Sequence, residues 1–579
     1  MAQIKSCYRI SIALVIGFLM NTAQTVPLQS GLDKKSALDL IILHNNDMHA
    51  HFEQTDQHSS LCDSKEMDQN KCYGGMARIS YVVKDYRKKA DEDGPAVLFL
   101  NAGDTYSGTP WFTIFTDQIV SDFMNILKPD ASTLGNHELD LGVRGLVPFL
   151  NNVTFPVLAA NIKNSADHIV WQTAALKRSV VFVINEFKVG VIGYLTPEVK
   201  FLATKNDLEF ISEIEAINDE AEALKNTGVK IIIALGHSGY KVDQDIAKNC
   251  PLVDVVVGAH SHTFLYSGKQ PDIEEIVGPY PTVIKQSSGK RVPVVQAYAY
   301  TKYLGKLELS FDADGNVINW AGAPILLNAS IKQDPETLAL LEKYRPKVVD
   351  LTTTVIGNTK VHLNGDSCRK TECNFGNMVA DALIHARVKQ HEGEYWTDAA
   401  VCFIHSGAIR TSIKRGKITK FDLITTVPFE HSMLLMSITG AGILQVLEHS
   451  VEQYNGNRGR FLQMSGVRVI YDMKNKEGDR VKSVEILCAD CEHPHYSKLD
   501  FRKVYGVILP QFLYDSGDDY SMLKDFKVQS LNITETEAVR RYVEEYRTVY
   551  PVVENRTTML NLPAFGTDSG VKSLGEIRD

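Results

Sequence analysis

The sequence predicts an α/β protein of two large domains joined by a helix. Three observations carry that prediction. The chain has 579 residues, more than one hydrophobic core usually serves. Up to about residue 330, short β-branched runs alternate with longer helical segments, the pattern of a layered α/β domain. An amphipathic stretch, Asp334 to Val349, introduced by Asp334-Pro335, then precedes a second α/β pattern. Composition is that of a globular protein, 44% hydrophobic and 23% charged.

In chain order, Leu38 to His44, Ala96 to Asn101, Pro156 to Ala160, Val180 to Tyr194, Val229 to Gly236 and Val253 to Gly258 read as strands. Asn185-Glu186 interrupts the fourth, which makes it a hairpin. The first domain is expected over 24–333, the linker helix over 334–351 and the second domain over 352–561. Helices are expected there at Asn377 to Lys389, Gly440 to Tyr454 and Glu535 to Thr548.

The N-terminus has the layout of a signal peptide over 1–23: Lys5 and Arg9, an apolar run from Ile10 to Met20, then small residues ending at Ala23. That run is too short to span a bilayer core of about 30 Å. The formal charge of −9 becomes −11 once Lys5 and Arg9 leave, which argues against a nucleic-acid polymer as partner. The segment 562–579 reads as a flexible polar tail without the hydrophobic end of a lipid-anchor signal, so no membrane anchor is expected and the protein should be secreted and extracellular.

Secretion makes the cysteines disulfide candidates. Spacing suggests Cys62 with Cys72, Cys368 with Cys373 and Cys488 with Cys491, leaving Cys250 and Cys402 unassigned. A zinc motif of Cys488 and Cys491 with His493 and His495 is the weaker reading, because the histidines follow too closely. Sequons at Asn152, Asn328, Asn532 and Asn555 make the chain a candidate glycoprotein.

Five places in the first half carry metal-ligand residues at or soon after strand ends: Asn46-Asp47-Met48-His49, Gly103-Asp104, Gly135-Asn136-His137-Glu138, Gly236-His237-Ser238 and Gly258-Ala259-His260-Ser261-His262. Any one alone reads as a solvated loop. Together they can converge at one sheet edge. Asp104 has two carboxylate oxygens with which to bridge two cations. A mixed shell of carboxylate, amide oxygen and imidazole suits zinc, manganese or iron better than calcium. Two divalent ions, zinc first, are therefore the expected cofactors, a pair suited to clamping a phosphoryl group.

These motifs, with Gly135-Asn136-His137-Glu138-Leu139-Asp140 among them, resemble the metallophosphoesterase signature in its 5'-nucleotidase and apyrase branch. The likeness spans about Leu38 to Asn561. It implies a four-layer metallophosphoesterase domain joined by the linker helix to a C-terminal α/β nucleotide-binding domain. It implies one metal on Asp47, His49, Asp104 and His262, and the other on Asp104, Asn136, His237 and His260. His137 would be the catalytic histidine, oriented by Asp140. His262 departs from the vertebrate members, towards the general His-x-His pattern.

In the second domain, the likeness makes Arg369 and Arg410 the phosphate-binding arginines, Phe429 and Phe512 the rings that sandwich the base, and Asp518 the ribose acid. His405-Ser406-Gly407-Ala408-Ile409-Arg410 replaces a more glycine-rich motif, with His405 where the family has Asn and Gly407 retained. The likeness also implies a hinge near Lys343 to Val349. The first functional expectation is an apyrase taking extracellular ATP and ADP to AMP. The alternative is a 5'-nucleotidase taking AMP to adenosine. A receptor-binding protein on the same scaffold, engaging a host protein, is the reading from another class, disfavoured by the complete ligand set.

Overall fold

The structure, a computed structural model, describes residues 36–163, 168–203, 206–454 and 459–562. The expected signal peptide and nearly all of the expected tail lie outside them.

Strand Leu38–Asn45 organises the first lobe. It pairs in parallel with Ala96–Asn101 and antiparallel with Tyr303–Phe311, within an eight-stranded sheet. Its side chains alternate between two buried faces. Leu40 and Ile42 join Leu98 and Leu100 against Val191, Ile231 and Ile233 of a second, six-stranded sheet. Ile41 and Leu43 face the other way, into a core with Ile79, Val83 and Phe123 from helices Met76–Asp91 and Pro110–Leu127. The far face of the second sheet, with Ile192, Ile232 and Ala234, packs on Ala216, Ile217 and Ile246 of helices Glu213–Asn226 and Tyr240–Asn249. The order helix, sheet, sheet, helix is the expected four-layer arrangement. Each such aliphatic side chain stabilises the fold by roughly 1.5–3 kcal/mol.

The expected hairpin is present as Ser179–Ile184 and Phe187–Leu195, with Asn185 and Glu186 at φ of 46° and 71°. Two positive φ values in a two-residue loop match the twist of the flanking strands. The strand expected at Pro156 to Ala160 pairs regularly only over Val157–Leu158.

The linker departs from the single helix expected over 334–351. It forms two successive helices, Pro335–Tyr344 and Pro346–Thr353, meeting at Arg345. Pro346 has no N–H to continue the first helix, and its ring opposes an unbroken helical path. Asp334 caps the start by accepting from the backbone N–H of Thr337. Leu341, Tyr344 and Val348 belong to the core of the first lobe, and the Tyr344 hydroxyl donates to Asp122 at 2.6 Å.

The second lobe is built on a five-stranded mixed sheet in the order Leu462–Ser465, Val401–His405, Val504–Pro510, Ser432–Thr439, Lys527–Thr534. Helix Asn374–Gln390 covers one face, with Val379 and Leu383 on Ile404 and Ile508. Helix Gly440–Ser450 covers the other, with Ile443 and Leu447 against Phe403 and Met436. The third expected helix runs Glu535–Tyr546, capped by the Thr534 side chain.

All three suggested cysteine pairs are disulfides, and Cys250 and Cys402 are free and buried. Bonding of Cys488 to Cys491 removes the zinc reading of that motif. Among the described residues no helix is long and apolar enough to cross a membrane.

Candidate active site between the two lobes

The ligand-type residues stand where strands end. Asp47 and His49 follow Leu38–Asn45, Asp104 follows Ala96–Asn101, and Asn136 follows Ala131–Thr133. His237 is the last residue of Ile231–His237, while His260 and His262 follow Val255–Val257. Asp47, His49, Asp104, His260 and His262 all have φ between 47° and 75°. Such conformations cost free energy for residues other than glycine and gather at functional sites. Gly135 is required by closeness instead: a Cβ there would lie 2.2 Å from Asp104 Oδ1.

The side chains converge. His237 Nε2 is 2.9 Å from Asp104 Oδ2, and His262 Nε2 is 3.2 Å from Asp47 Oδ1. The Nε2 atoms of His49 and His262 face each other at 3.0 Å. Asp47, His49 and His262 form one group with metal-ligand spacing, and Asp104, His237 and His260 another. Backbone contacts aim these groups: His237 Nδ1 lies 2.7 Å from the Ala102 carbonyl, and the His260 N–H donates to Asp47 Oδ2.

These residues fit divalent cations. Asp47 Oδ1, Asn136 Oδ1 and His237 Nε2 are buried without a hydrogen-bond partner, and buried polar atoms are rarely left so. Asp47 Oδ1 and His237 Nε2 face other ligand-type atoms of the cluster, His262 Nε2 and Asp104 Oδ2. The electrostatics agree. Against the effect of burial, Asp104 and Asp47 push His237 up to about 10, a sign of how strongly these carboxylates demand positive charge. Burial, then the neighbouring His237, holds His260 down to about 3, in the neutral form that a ligand requires.

His137 stands beside this cluster. Its Nδ1 is 2.8 Å from Asp140 Oδ2, an oxygen that also accepts from the Ser107 hydroxyl. Burial lowers its pKa, but Asp140 and Asp104 outweigh that and leave it raised. The His137 backbone N–H donates to Asp104 Oδ1 at 2.9 Å.

The second lobe brings its own residues to the same place. Arg410 Nη2 lies 2.8 Å from His49 Nε2, and the Arg410 carbonyl accepts from the Tyr300 hydroxyl. Arg369 is near enough for Arg410 to depress its pKa, after burial. Five rings stack in a column from one lobe into the other. His137 and Phe429 are 5.7 Å apart, Phe429 and His431 5.3 Å, His431 and Phe512 5.4 Å, and Phe512 and His405 4.4 Å, with interplanar angles of 13° to 24°. His405 Nδ1 lies 3.2 Å from Asp518 Oδ2. Gly407 lines the turn beneath: a Cβ on it would meet His405 Nδ1 at 3.0 Å.

Every site residue expected from sequence is thus in one region at the seam of the lobes. Three contributors were not foreseen. His431 sits within the ring column, a position hinted at only by its i+2 spacing from Phe429 on an extended segment. Glu138 accepts from the backbone N–H groups of Asp104, Thr105 and Gly135, so it ties two metal loops together. Tyr300 packs its ring on His49 and His262, 5.7 Å and 5.2 Å away.

Comparison with known proteins agrees with this geometry. Residues 40–264 match the calcineurin-like phosphoesterase family model, and residues 355–525 match the 5'-nucleotidase C-terminal domain. The chain is 47% identical over 543 residues to Protein 5NUC of Lutzomyia longipalpis, covering 92% of this chain and 94% of that one. It is 41% identical over 533 residues to the 5'-nucleotidase of Homo sapiens, covering 90% and 91%. Among solved structures, the 5'-nucleotidase precursor from Thermus thermophilus superposes with a TM-score of 0.81 at 31% identity, over 91% of this chain and all of that one. Membership of the metallophosphoesterases implies divalent metal ions at the cluster around Asp104. The chain belongs to the 5'-nucleotidase family of metallophosphoesterases, hydrolases that act on nucleotide phosphates.

Proposed function

We propose that the protein is a secreted 5'-nucleotidase that takes nucleoside 5'-monophosphates, AMP first, to the nucleoside and phosphate, working with two zinc ions. The apyrase reading comes second, because relatives at 41% identity, from Bos taurus and Homo sapiens, are named 5'-nucleotidases. One observation carries the choice: Phe429 stacks on His137, and Arg410 spans the short distance between Phe429 and His49. A base held on Phe429 is then separated from the cation ligands by about one ribose and one phosphate.

Asp47, His49, Asp104 and His262 would hold one cation, and Asp104, Asn136, His237 and His260 the other. Cations bound there would supply Lewis acidity to a phosphoryl group and lower the pKa of a water molecule. Arg410 and Arg369 grip phosphate oxygens, a task suited to the guanidinium fork. With Nδ1 engaged by Asp140, His137 presents Nε2 to the phosphoryl oxygens and stabilises the charge that develops there. With His431 moved from the place it holds between Phe429 and Phe512, those two rings would stack on the base, and Asp518, 3.2 Å from His405 Nδ1, would accept from ribose hydroxyls. The lobes 24–333 and 352–561 would divide chemistry from recognition, with a hinge at Lys343 to Val349, where Pro346 divides the linker.

Secretion is supported by the leader pattern and by the three disulfides, which persist in oxidising compartments. Phosphate release from AMP, ADP, ATP and UDP-glucose, with and without a chelator, tests the reading. Chelator-sensitive release is expected, highest from AMP. No release from any of them would leave the receptor-binding alternative.

A further inference from the structure

A second group of metal-ligating side chains lies outside the site around Asp104. His58, His362 and Asp366 bring ligand atoms that all lie within 4.8 Å of one another. His58 Nδ1 is 3.0 Å from Asp366 Oδ2, and the His58 and His362 rings are 5.2 Å apart. The three come from different lobes: His58 from the loop after the first metal-ligand turn, His362 and Asp366 from the segment leading to the Cys368–Cys373 disulfide.

We propose that His58, His362 and Asp366 form a separate site for zinc or a similar divalent transition metal, and that the ion clasps the two lobes together. The donor chemistry is right: two imidazoles and a carboxylate, with one position left open to solvent, are a common zinc set. Ligands about 2.0–2.2 Å from a tetrahedral zinc lie roughly 3.3 Å from one another. The His58 and Asp366 atoms already have that spacing, and the exposed His362 and Asp366 side chains can rotate to complete it.

The backbone on both sides is held for the purpose. Asp56 Oδ1 accepts from the N–H groups of His58 and Ser60 at 2.7 and 2.9 Å, which fixes the turn that carries His58. The Thr411 hydroxyl of the second lobe donates to the His58 carbonyl at 2.6 Å. Leu363 exchanges backbone hydrogen bonds with Ile413 at 2.9 and 3.0 Å, and the Gly365 N–H donates to Ser412 Oγ. Residues 411–413 therefore support both halves of the cluster, and such support is what keeps ligands preorganised. Two nearby lysines are neutralised, Lys414 by Asp56 and Glu66 and Lys302 by Asp272 and Glu274.

Each ligand alone has a plainer reading, since His58 with Asp366 is also an ion pair of the surface kind that contributes little. The third donor and the position across the seam favour the ion. An ion bound to the assembled lobes, and not to separated ones, stabilises the closed arrangement by mass action.

The test uses the full chain with its catalytic ions in place, and needs no activity, so it stands apart from the substrate reading. Zinc per chain is counted after equilibration with micromolar free Zn²⁺, for wild type, His362→Ala and Asp366→Asn. The wild type should hold one more zinc than either variant, and its melting temperature should rise with added Zn²⁺ while theirs does not. An unchanged far-ultraviolet circular dichroism spectrum at low zinc confirms that the variants are folded. Equal zinc content in all three proteins overturns the site, and an extra zinc with no difference in melting overturns the clasp.

Discussion

Arg410 of the second lobe places its guanidinium Nη2 2.8 Å from Nε2 of His49 in the first. Burial first, then Arg410, holds His49 neutral, so its Nε2 lone pair accepts from the guanidinium. A cation held by His49 would take that lone pair and leave the guanidinium free to grip a phosphate oxygen.

Arg410→Ala should therefore lower kcat/KM for AMP on the order of 100-fold, the loss of about 2–3 kcal/mol expected for a charge-assisted hydrogen bond to phosphate. Steady-state kinetics with an unchanged circular dichroism spectrum checks it. Wild-type kcat/KM would remove the arginine from the phosphate site.

Asp104→Asn should abolish turnover and lower the metal content of the purified protein. Asp104 stands next to His237 and His49 and accepts from the His137 backbone, so one lost charge disturbs the ligands of both ions. Retention of activity and of two ions per chain would refute the bridging role.

Phe512→Ala should raise KM for AMP and leave kcat nearly unaltered, because stacking holds the base without touching the phosphate. A base stack is worth roughly 1–3 kcal/mol, which converts to about 5- to 150-fold. A fall in kcat at constant KM would contradict the assignment.

Glu535 gives a prediction about stability. Both of its carboxylate oxygens are buried without a hydrogen-bond partner. Burial first, then Glu430, raises its pKa from 4.5 to about 8, while His431, 3.9 Å away, is held down to about 3 by burial and stays neutral. The folded protein keeps a proton that the unfolded chain releases above pH 4.5. This group's contribution is present in full below pH 4.5 and is lost as pH rises through about 8. Glu535→Gln should unfold at a higher temperature than wild type at pH 8, by an amount that shrinks towards pH 5. A difference independent of pH would mean that Glu535 is not protonated in the fold.

The metal cluster was legible because its residues sit in short motifs at strand ends, where the local pattern of β-branched run, glycine and ligand needs no tertiary information. Their backbone conformations were not. Nothing in Asp-x-His announces φ of 49° at Asp47 and 47° at His49, which the convergence of loops imposes. Strand Tyr303–Phe311 alternates clearly, yet its pairing with Leu38–Asn45 joins segments more than 250 residues apart, and no local rule supplies that register. The base-binding expectation for Phe429 and Phe512 rests on family likeness alone. As isolated aromatics they read as core. His431 escaped because its meaning lies in rings from three other segments. Pro346 was visible in the linker, but the amphipathic spacing on either side masked the break.

The central claim is tested most directly by product analysis. Purified protein is incubated with AMP, ADP or ATP in separate reactions, and adenosine, AMP and phosphate are separated and followed with time to give kcat/KM for each. Adenosine should form from AMP with a kcat/KM at least tenfold above those for ADP and ATP. Rapid conversion of ATP and ADP to AMP, with AMP accumulating uncleaved, would contradict the account and restore the apyrase reading.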